Sequence, residues 1–157
     1  MSVRFAKENE LGRVNELREQ VNALHVAGKP DTFKPGFTRE LQDYVNAIRD
    51  DPDKDIVVAE RGGVVCGYAV INYVNRPENP YMYERRYLDI DEFGVDEGFR
   101  RQGVATEMIA FIRGVAASKG FKRVELNMWE FNDAALKFYE AAGFKTFRRY
   151  METYIDE

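Results

Sequence analysis

Leu11, Val14, Leu17, Val21 and Leu24 recur at helical spacing and predict a helix from about Glu8 to Val26, after a short strand at Val3 to Ala6. Gly28, Pro30 and Pro35 break that pattern. A second helix follows from about Thr38 to Arg49, with Leu41, Tyr44, Val45 and Ile48 on one face and Thr38 placed as its N-cap. Then the period changes. Ile56 to Glu60 and Val64 to Tyr73 are rich in β-branched residues, and Gly62-Gly63 between them suits the tight turn of a hairpin. Val74 to Arg86, with Pro77 and Pro80, reads as a longer loop of the kind that often carries specificity.

From there strand and helix patterns alternate. A strand from about Tyr87 to Val95 leads to a helix reaching about Lys119, which buries Met108, Phe111, Ile112 and Val115 and stops at Gly120. Val124, Leu126 and Met128 alternate with Arg123, Glu125 and Asn127, the signature of a half-buried strand. Asn132 can cap a short helix whose Ala135, Phe138, Tyr139 and Ala142 share a face, with Gly143 at its end. A last strand is predicted from about Phe147 to Tyr154. This order predicts an α/β fold, a mixed sheet flanked by helices on both faces, in one domain over residues 1–157.

Composition narrows the class. With 45% hydrophobic, 13% aromatic and 32% charged residues the chain reads as a globular protein. No apolar run approaches the ~20 residues of a membrane span, and no signal-peptide layout opens the chain, so a cytoplasmic location and no membrane partner are expected. The lone Cys66 agrees with a reducing compartment and reads as a small buried apolar residue. A net charge of -4 argues against nucleic acid as the partner. Asp50 to Asp55 reads as a solvated loop ending a helix. Asp89-Ile90-Asp91-Glu92 is different, because three carboxylates inside a strand are costly to half-bury without a cationic partner or a proton-transfer role. His25 is the only histidine and sits beside an apolar helix face, where a structural role is expected; no metal site is expected.

Between a predicted strand and a predicted helix lies Val95-Asp96-Glu97-Gly98-Phe99-Arg100-Arg101-Gln102-Gly103-Val104-Ala105-Thr106. A helix starting near Val104 leaves its first backbone N–H groups without intrahelical partners, and with the positive end of the helix dipole they attract a phosphate or pyrophosphate. Gly103 and Ala105 keep bulk away from that approach, while Arg100 and Arg101 add positive charge and fork-shaped donors. The segment has neither the Gly-x-Gly-x-x-Gly of a dinucleotide fold nor the Gly-Lys-Ser/Thr of a phosphate-loop NTPase. On its own it reads equally as a solvated basic loop before an ordinary helix.

Three features in order remove that ambiguity: the Arg100-to-Ala105 turn, the strand Glu125 to Trp129, and the segment from Asn132 to Gly143-Phe144. Together they resemble the GCN5-related N-acetyltransferase family over essentially the whole chain. The resemblance implies a single-domain, mostly antiparallel sheet with a central splayed parallel pair, here Tyr87 to Val95 and Arg123 to Trp129. In that family, acetyl-CoA slots its pantetheine between the two strands. It implies acetyl-CoA contacts at Phe93 and Val95, at Arg100, Arg101, Gln102, Gly103, Val104, Ala105 and Thr106, and at Asn132. A bulge is expected at Phe93-Gly94-Val95, where Gly94 would serve it.

The expected reaction is direct transfer of an acetyl group to a small cationic amine or a peptide amine. A lysine-like ammonium of pKa ~10.4 must lose a proton first. Glu92, then Asp91, then Asp89 are the candidate bases, acting directly or through water. Adjacent residues of a regular strand point to opposite faces, so Asp91 and Glu92 cannot share one there. Tyr139 matches the family's tyrosine that protonates the departing thiolate, against the plainer reading of a core aromatic. Trp129 reads equally as a pocket wall or as packing, and Arg148 and Arg149 as surface charge. A homodimer fits the resemblance. The competing reading is a non-catalytic acyl-CoA sensor or interaction module on the same scaffold.

Overall fold

A computed structural model describes residues 1–155. The chain forms two compact units, Met1–Asn127 and a second one from Met128 onward. In the first, β1 (Ser2–Phe5), β2 (Lys54–Arg61), β3 (Val64–Arg76), β4 (Arg85–Val95) and β5 (Val124–Leu126) form one sheet in that order. The pairs β1–β2, β2–β3 and β3–β4 are antiparallel, and β4–β5 is parallel. The mixed sheet with a parallel pair is the expected fold class.

Strand alternation sorts the core into two layers. Ile56, Val58, Tyr68 and Val70 face α1 (Leu11–Gly28) and α2 (Arg39–Asp50), where they meet Leu11, Val14, Leu17, Val45 and Ile48. Residues of the opposite parity face α3 (Val104–Ser118), whose Val104, Met108, Ile109, Ile112 and Val115 are buried. Gly67 marks that side: a Cβ there would come within 2.7 Å of the Met108 sulfur. Thr38 caps α2 as expected, its Oγ1 accepting from the Leu41 N–H, and the Gly62-Gly63 turn closes the β2–β3 hairpin with both glycines at positive φ.

Several boundaries differ from the sequence reading. Glu8–Glu10 is a 3-10 turn, and α1 begins at Leu11 and reaches Gly28. The long loop shrinks to residues 77–84, because β3 and β4 keep pairing as far as Arg76–Arg85, up to the residue before Pro77. The second splayed strand stops at Leu126 rather than Trp129; its pairing with β4 ends at Ile90–Leu126, and alternation alone cannot hold a strand without a partner.

The second unit holds α4 (Asp133–Ala141), capped by Asn132, whose Oδ1 accepts from the Ala135 N–H. Gly143 sits at φ 95° past the helix end, as its position predicts. No strand forms at 147–154 among the described residues. Phe147, Tyr150, Met151 and Tyr154 are all exposed there, and their irregular spacing offers no single apolar face to bury.

Candidate active site

The phosphate-cradle segment is built from backbone. After β4, a 3-10 turn at Glu97–Phe99 leads to Arg101, at φ 61°, and Gly103, at φ 83°, the N-cap of α3. Two left-handed residues separated by one other turn successive N–H groups toward a common concavity, a geometry that binds anions. Gly103 supplies no capping side chain, and a Cβ on it would meet nothing within 4 Å, so the approach is open. Among the described residues, none accepts a hydrogen bond from the backbone N–H of Arg101, Gln102, Gly103, Val104, Ala105 or Thr106; the first N–H of α3 with an acceptor is that of Glu107, bonded to the Gly103 carbonyl. Val104 is buried and anchors the helix start.

Side chains brace this rim. Arg61, from the end of β2, donates to the Gln102 side chain at 2.9 Å and to its backbone oxygen at 3.1 Å. It brings a third guanidinium onto the turn that carries Arg100 and Arg101, and no motif in the sequence announces it. Asp96 bonds the Gly98 N–H and pairs with Arg13, whose Nε holds the Val65 carbonyl, so α1 and β3 fix the base of the turn.

The edge of β4 leads from the cradle into the sheet. The Leu88 N–H donates toward β5, to the Arg123 carbonyl, whereas the Asp96 N–H donates toward β3, to the Cys66 carbonyl. Strict alternation between residues 88 and 96 would give both the same direction, so the phase changes between them. The register shows where: Val70 opposes Glu92 and Ile71 opposes Ile90, which leaves Asp91 as the extra residue of a β-bulge. The expected bulge at Phe93-Gly94-Val95 is therefore corrected to Asp91. Beyond it, Phe93 and Val95 turn their backbone groups toward the edge where β5 no longer pairs, and the Arg100 Nε lies 3.4 Å from the Val95 carbonyl. Gly94 has another reason to be glycine. It pairs in register with Tyr68, and a Cβ on it would lie 2.7 Å from Val21 Cγ2 and 2.9 Å from Tyr68 Cε1.

The same bulge gathers the acids. Asp89 opposes Asn72 and Glu92 opposes Val70, so the two share the α1/α2 face despite their sequence separation. The Asp91 carboxyl feels Glu92, Lys54 and Arg18, all groups of that face. Burial raises the Asp89 carboxyl above the usual range, the Asp91 charge adds to it, and the Asn72 amide, which donates at 3.3 Å, opposes it. Partial burial and then the Glu92 charge raise Asp91 as well, against Lys54 and Arg18. Glu92 is differently placed. Its Oε1 accepts from Arg18 Nε at 3.0 Å and from the Tyr68 hydroxyl at 3.1 Å. Burial and the Glu92 carboxylate push the Tyr68 phenol well up, so it stays a neutral donor.

Arg18 and Tyr68 are site residues that sequence reasoning missed. For Arg18 a signal existed: it stands four after Val14 and three before Val21, inside the apolar stripe of α1. His25, one more turn along, stacks on Phe33 at 4.9 Å; burial lowers its pKa while Glu92 raises it. Cys66 is buried and its thiol is pushed up by that burial, as a packing residue would be. Among the described residues no group of His, Cys, Asp and Glu could hold a metal ion, and no helix is long and apolar enough to cross a membrane.

In the second unit, Tyr139 lies on α4 with edge-to-face contacts to Phe138 and Phe144, and burial raises its phenol to about 12. Trp129 stacks on Phe131.

Comparison with known proteins agrees with this geometry. Residues 18–144 match the family model described as Acetyltransferase (GNAT) family. An L-ornithine N5-acetyltransferase of Arabidopsis thaliana is 25% identical over 123 residues, 76% of this chain and 52% of that protein. An uncharacterized N-acetyltransferase of Bacillus subtilis is 32% identical over 69 residues, 44% of this chain and 42% of its own length. The chain thus spans about half the length of the curated relatives it matches. Among solved structures, a tetramutant of the BH1408 protein of Bacillus halodurans superposes with a TM-score of 0.94 at 24% identity, covering 99% of this chain and 100% of that one. An aminoglycoside N-acetyltransferase in complex with CoA gives 0.77 at 19% identity, over 98% of this chain and 93% of the other. With its sheet, its backbone-lined turn and most of its length matched, the chain belongs to the GNAT acetyltransferase family.

Proposed function

We propose that this protein is an acyl-CoA-dependent N-acetyltransferase that moves an acetyl group from acetyl-CoA directly to an amine, either a small cationic amine or a peptide amine. The observation that carries the reading is the run of backbone N–H groups from Arg101 to Thr106 with no acceptor among the described residues, following a strand whose pairing with β5 ends at Ile90. Unclaimed donors at a helix start fit a pyrophosphate, and backbone groups on a strand edge beyond the last β4–β5 pair fit the amide groups of pantetheine. Arg61, Arg100 and Arg101 add charge around the phosphates, and Phe93 and Val95 offer the strand-edge contacts. Asn132 caps α4 and takes a CoA contact in this reading.

The acceptor meets the acid cluster. Asp91 is the base we favour over Glu92, because Glu92 is already engaged by Arg18 and Tyr68 while Asp91 has no such hydrogen bonds and a carboxyl raised toward neutrality, which strengthens it as a base. It takes one proton from the ammonium, directly or through water. The freed amine attacks the thioester carbonyl, a C–N bond forms, the C–S bond breaks, and the nitrogen's second proton ends on the CoA sulfur. Tyr139 serves that last step. A phenol at about 12 gives its proton to a thiolate of reference pKa ~8.5 only uphill, so its part is to donate a hydrogen bond to the sulfur as charge develops. The relatives' names support the acceptor class: ornithine and aminoglycosides are both amines.

Calorimetric titration with acetyl-CoA, followed by a screen of diamines, amino acids, aminoglycosides and peptides for CoA release, tests this. Heat with amine-dependent CoA release is expected. An absence of heat removes the cradle reading, and heat without release for any amine returns the protein to the acyl-CoA sensor.

A further inference from the structure

We propose that Arg18 is a positioning residue that ties up Glu92 as a fixed counter-charge and so reserves the proton-accepting role for Asp91; the inference rests on the reading of Asp91 as the base. Arg18 is a buried charged side chain, 6% exposed, on the apolar stripe of α1. Such burial is costly unless every donor is used, and here each nitrogen is engaged. Nε reaches Glu92 Oε1 at 3.0 Å and Nη2 reaches Oε2 at 3.5 Å, while Nη1 donates to the Asn15 side chain at 2.9 Å and the Leu41 carbonyl at 2.6 Å. Phe37 and Tyr44 stack on the guanidinium at 5.4 and 5.7 Å. One side chain therefore gathers the α1–α2 connector, α2 and the bulged strand.

That geometry has an electrostatic consequence at Asp91. Asp91 precedes Glu92 in the chain and, as the extra residue of the bulge, feels its charge, and two neighbouring carboxylates oppose each other's ionisation. Arg18 cancels the Glu92 charge from one side, and the Tyr68 hydroxyl holds the same oxygen from the other. The groups facing Asp91 are Glu92 on its own strand, Arg18 on α1 and Lys54 on β2. Behind them, Asp91 acts on Asp89 together with Glu125 of β5, and His25 of α1 faces Glu92.

Charge-neutral packing and this role predict different signs. Removing the positive charge in Arg18→Met exposes Asp91 to the uncancelled Glu92, so its pKa rises and the acidic limb of kcat/KM moves to higher pH, by roughly 0.5 to 1 unit. Removing the negative charge in Glu92→Gln leaves Arg18 uncancelled, and the limb moves to lower pH. The double variant Arg18→Met/Glu92→Gln restores the wild-type position, and Arg18→Lys restores most of it. Titration of the Asp91 carboxyl by carbon NMR reads the same shifts without any acceptor, which separates a failure here from a failure of the acetyltransferase reading. Opposite shifts that cancel in the double variant are expected. Shifts of the same sign, or no shift in a folded variant, overturn the role. If Arg18→Met does not fold, the Glu92→Gln and Arg18→Lys titrations decide it: a fall in the first with little change in the second supports the role, and no shift or a rise in Glu92→Gln overturns it.

Discussion

The two halves of the site, the turn before α3 and the acid-lined bulge of β4, are built on opposite plans. At the turn, side chains stand back: Gly103 has open space around it, and what the turn presents is a row of main-chain N–H groups. At the bulge, side chains form the proposed chemical site: Arg18 and Tyr68 hold Glu92, and Asn72, itself held by Lys54, holds Asp89. A main-chain surface needs a particular φ and tolerates changes of side chain. A side-chain surface depends on each partner's charge and hydrogen bond.

The strongest way to sharpen this contrast is Asp91→Asn. With the proposed base gone, kcat/KM at neutral pH should fall by roughly 100-fold or more while acetyl-CoA affinity stays nearly unchanged. Because a base works only when deprotonated and burial raises the Asp91 carboxyl, the wild-type rate should climb with pH above the usual aspartate range. In Asp91→Asn that acidic limb should be missing; a limb that persists assigns the proton to another group. Tyr139→Phe should lower kcat by about tenfold or more with binding unchanged, since only a hydrogen bond to the leaving sulfur is removed; equal turnover takes Tyr139 out of the reaction.

Smaller effects test the cradle. Gly103→Val forces a β-branched residue into φ 83°, and strain of about 1–3 kcal/mol should weaken acetyl-CoA roughly tenfold by calorimetry while kcat at saturation holds. Thr106→Ala, which changes a side chain and leaves the main chain alone, should lose much less; an equal loss would break the contrast between the two plans. The smallest expected effect on catalysis comes from Gly94→Ala. Its Cβ would press on Val21 and Tyr68, so thermal unfolding should shift down by a few degrees, through overpacking of about 1–3 kcal/mol, with the acetyl-CoA contacts retained.

Much of this molecule was readable in one dimension. Helical and strand periods located α1 to α4 and β1 to β4, because each element buries one face and repeats it locally. The Arg100-to-Thr106 segment was legible for the same reason: a glycine before a helix, with arginines nearby, is a local pattern. The failures share a cause. Val124 to Met128 alternates like a strand, yet only Val124–Leu126 pairs, since pairing depends on a neighbour far away in sequence. Residues 147–154 carry strand-forming side chains and no partner strand among the described residues.

By itself, then, the order of amino acids determined the element sequence, the two apolar layers and the main-chain donors ahead of α3, all of which follow from spacing within a few residues. The tertiary structure alone decided that Asp91, not Gly94, is the bulge, that Asp89 and Glu92 share a face, and that Arg18 pairs with Glu92 and Arg61 with Gln102. Register and ion pairing are contacts between distant segments, and a one-residue slip in β4, invisible to local periodicity, reassigns every side chain that follows it.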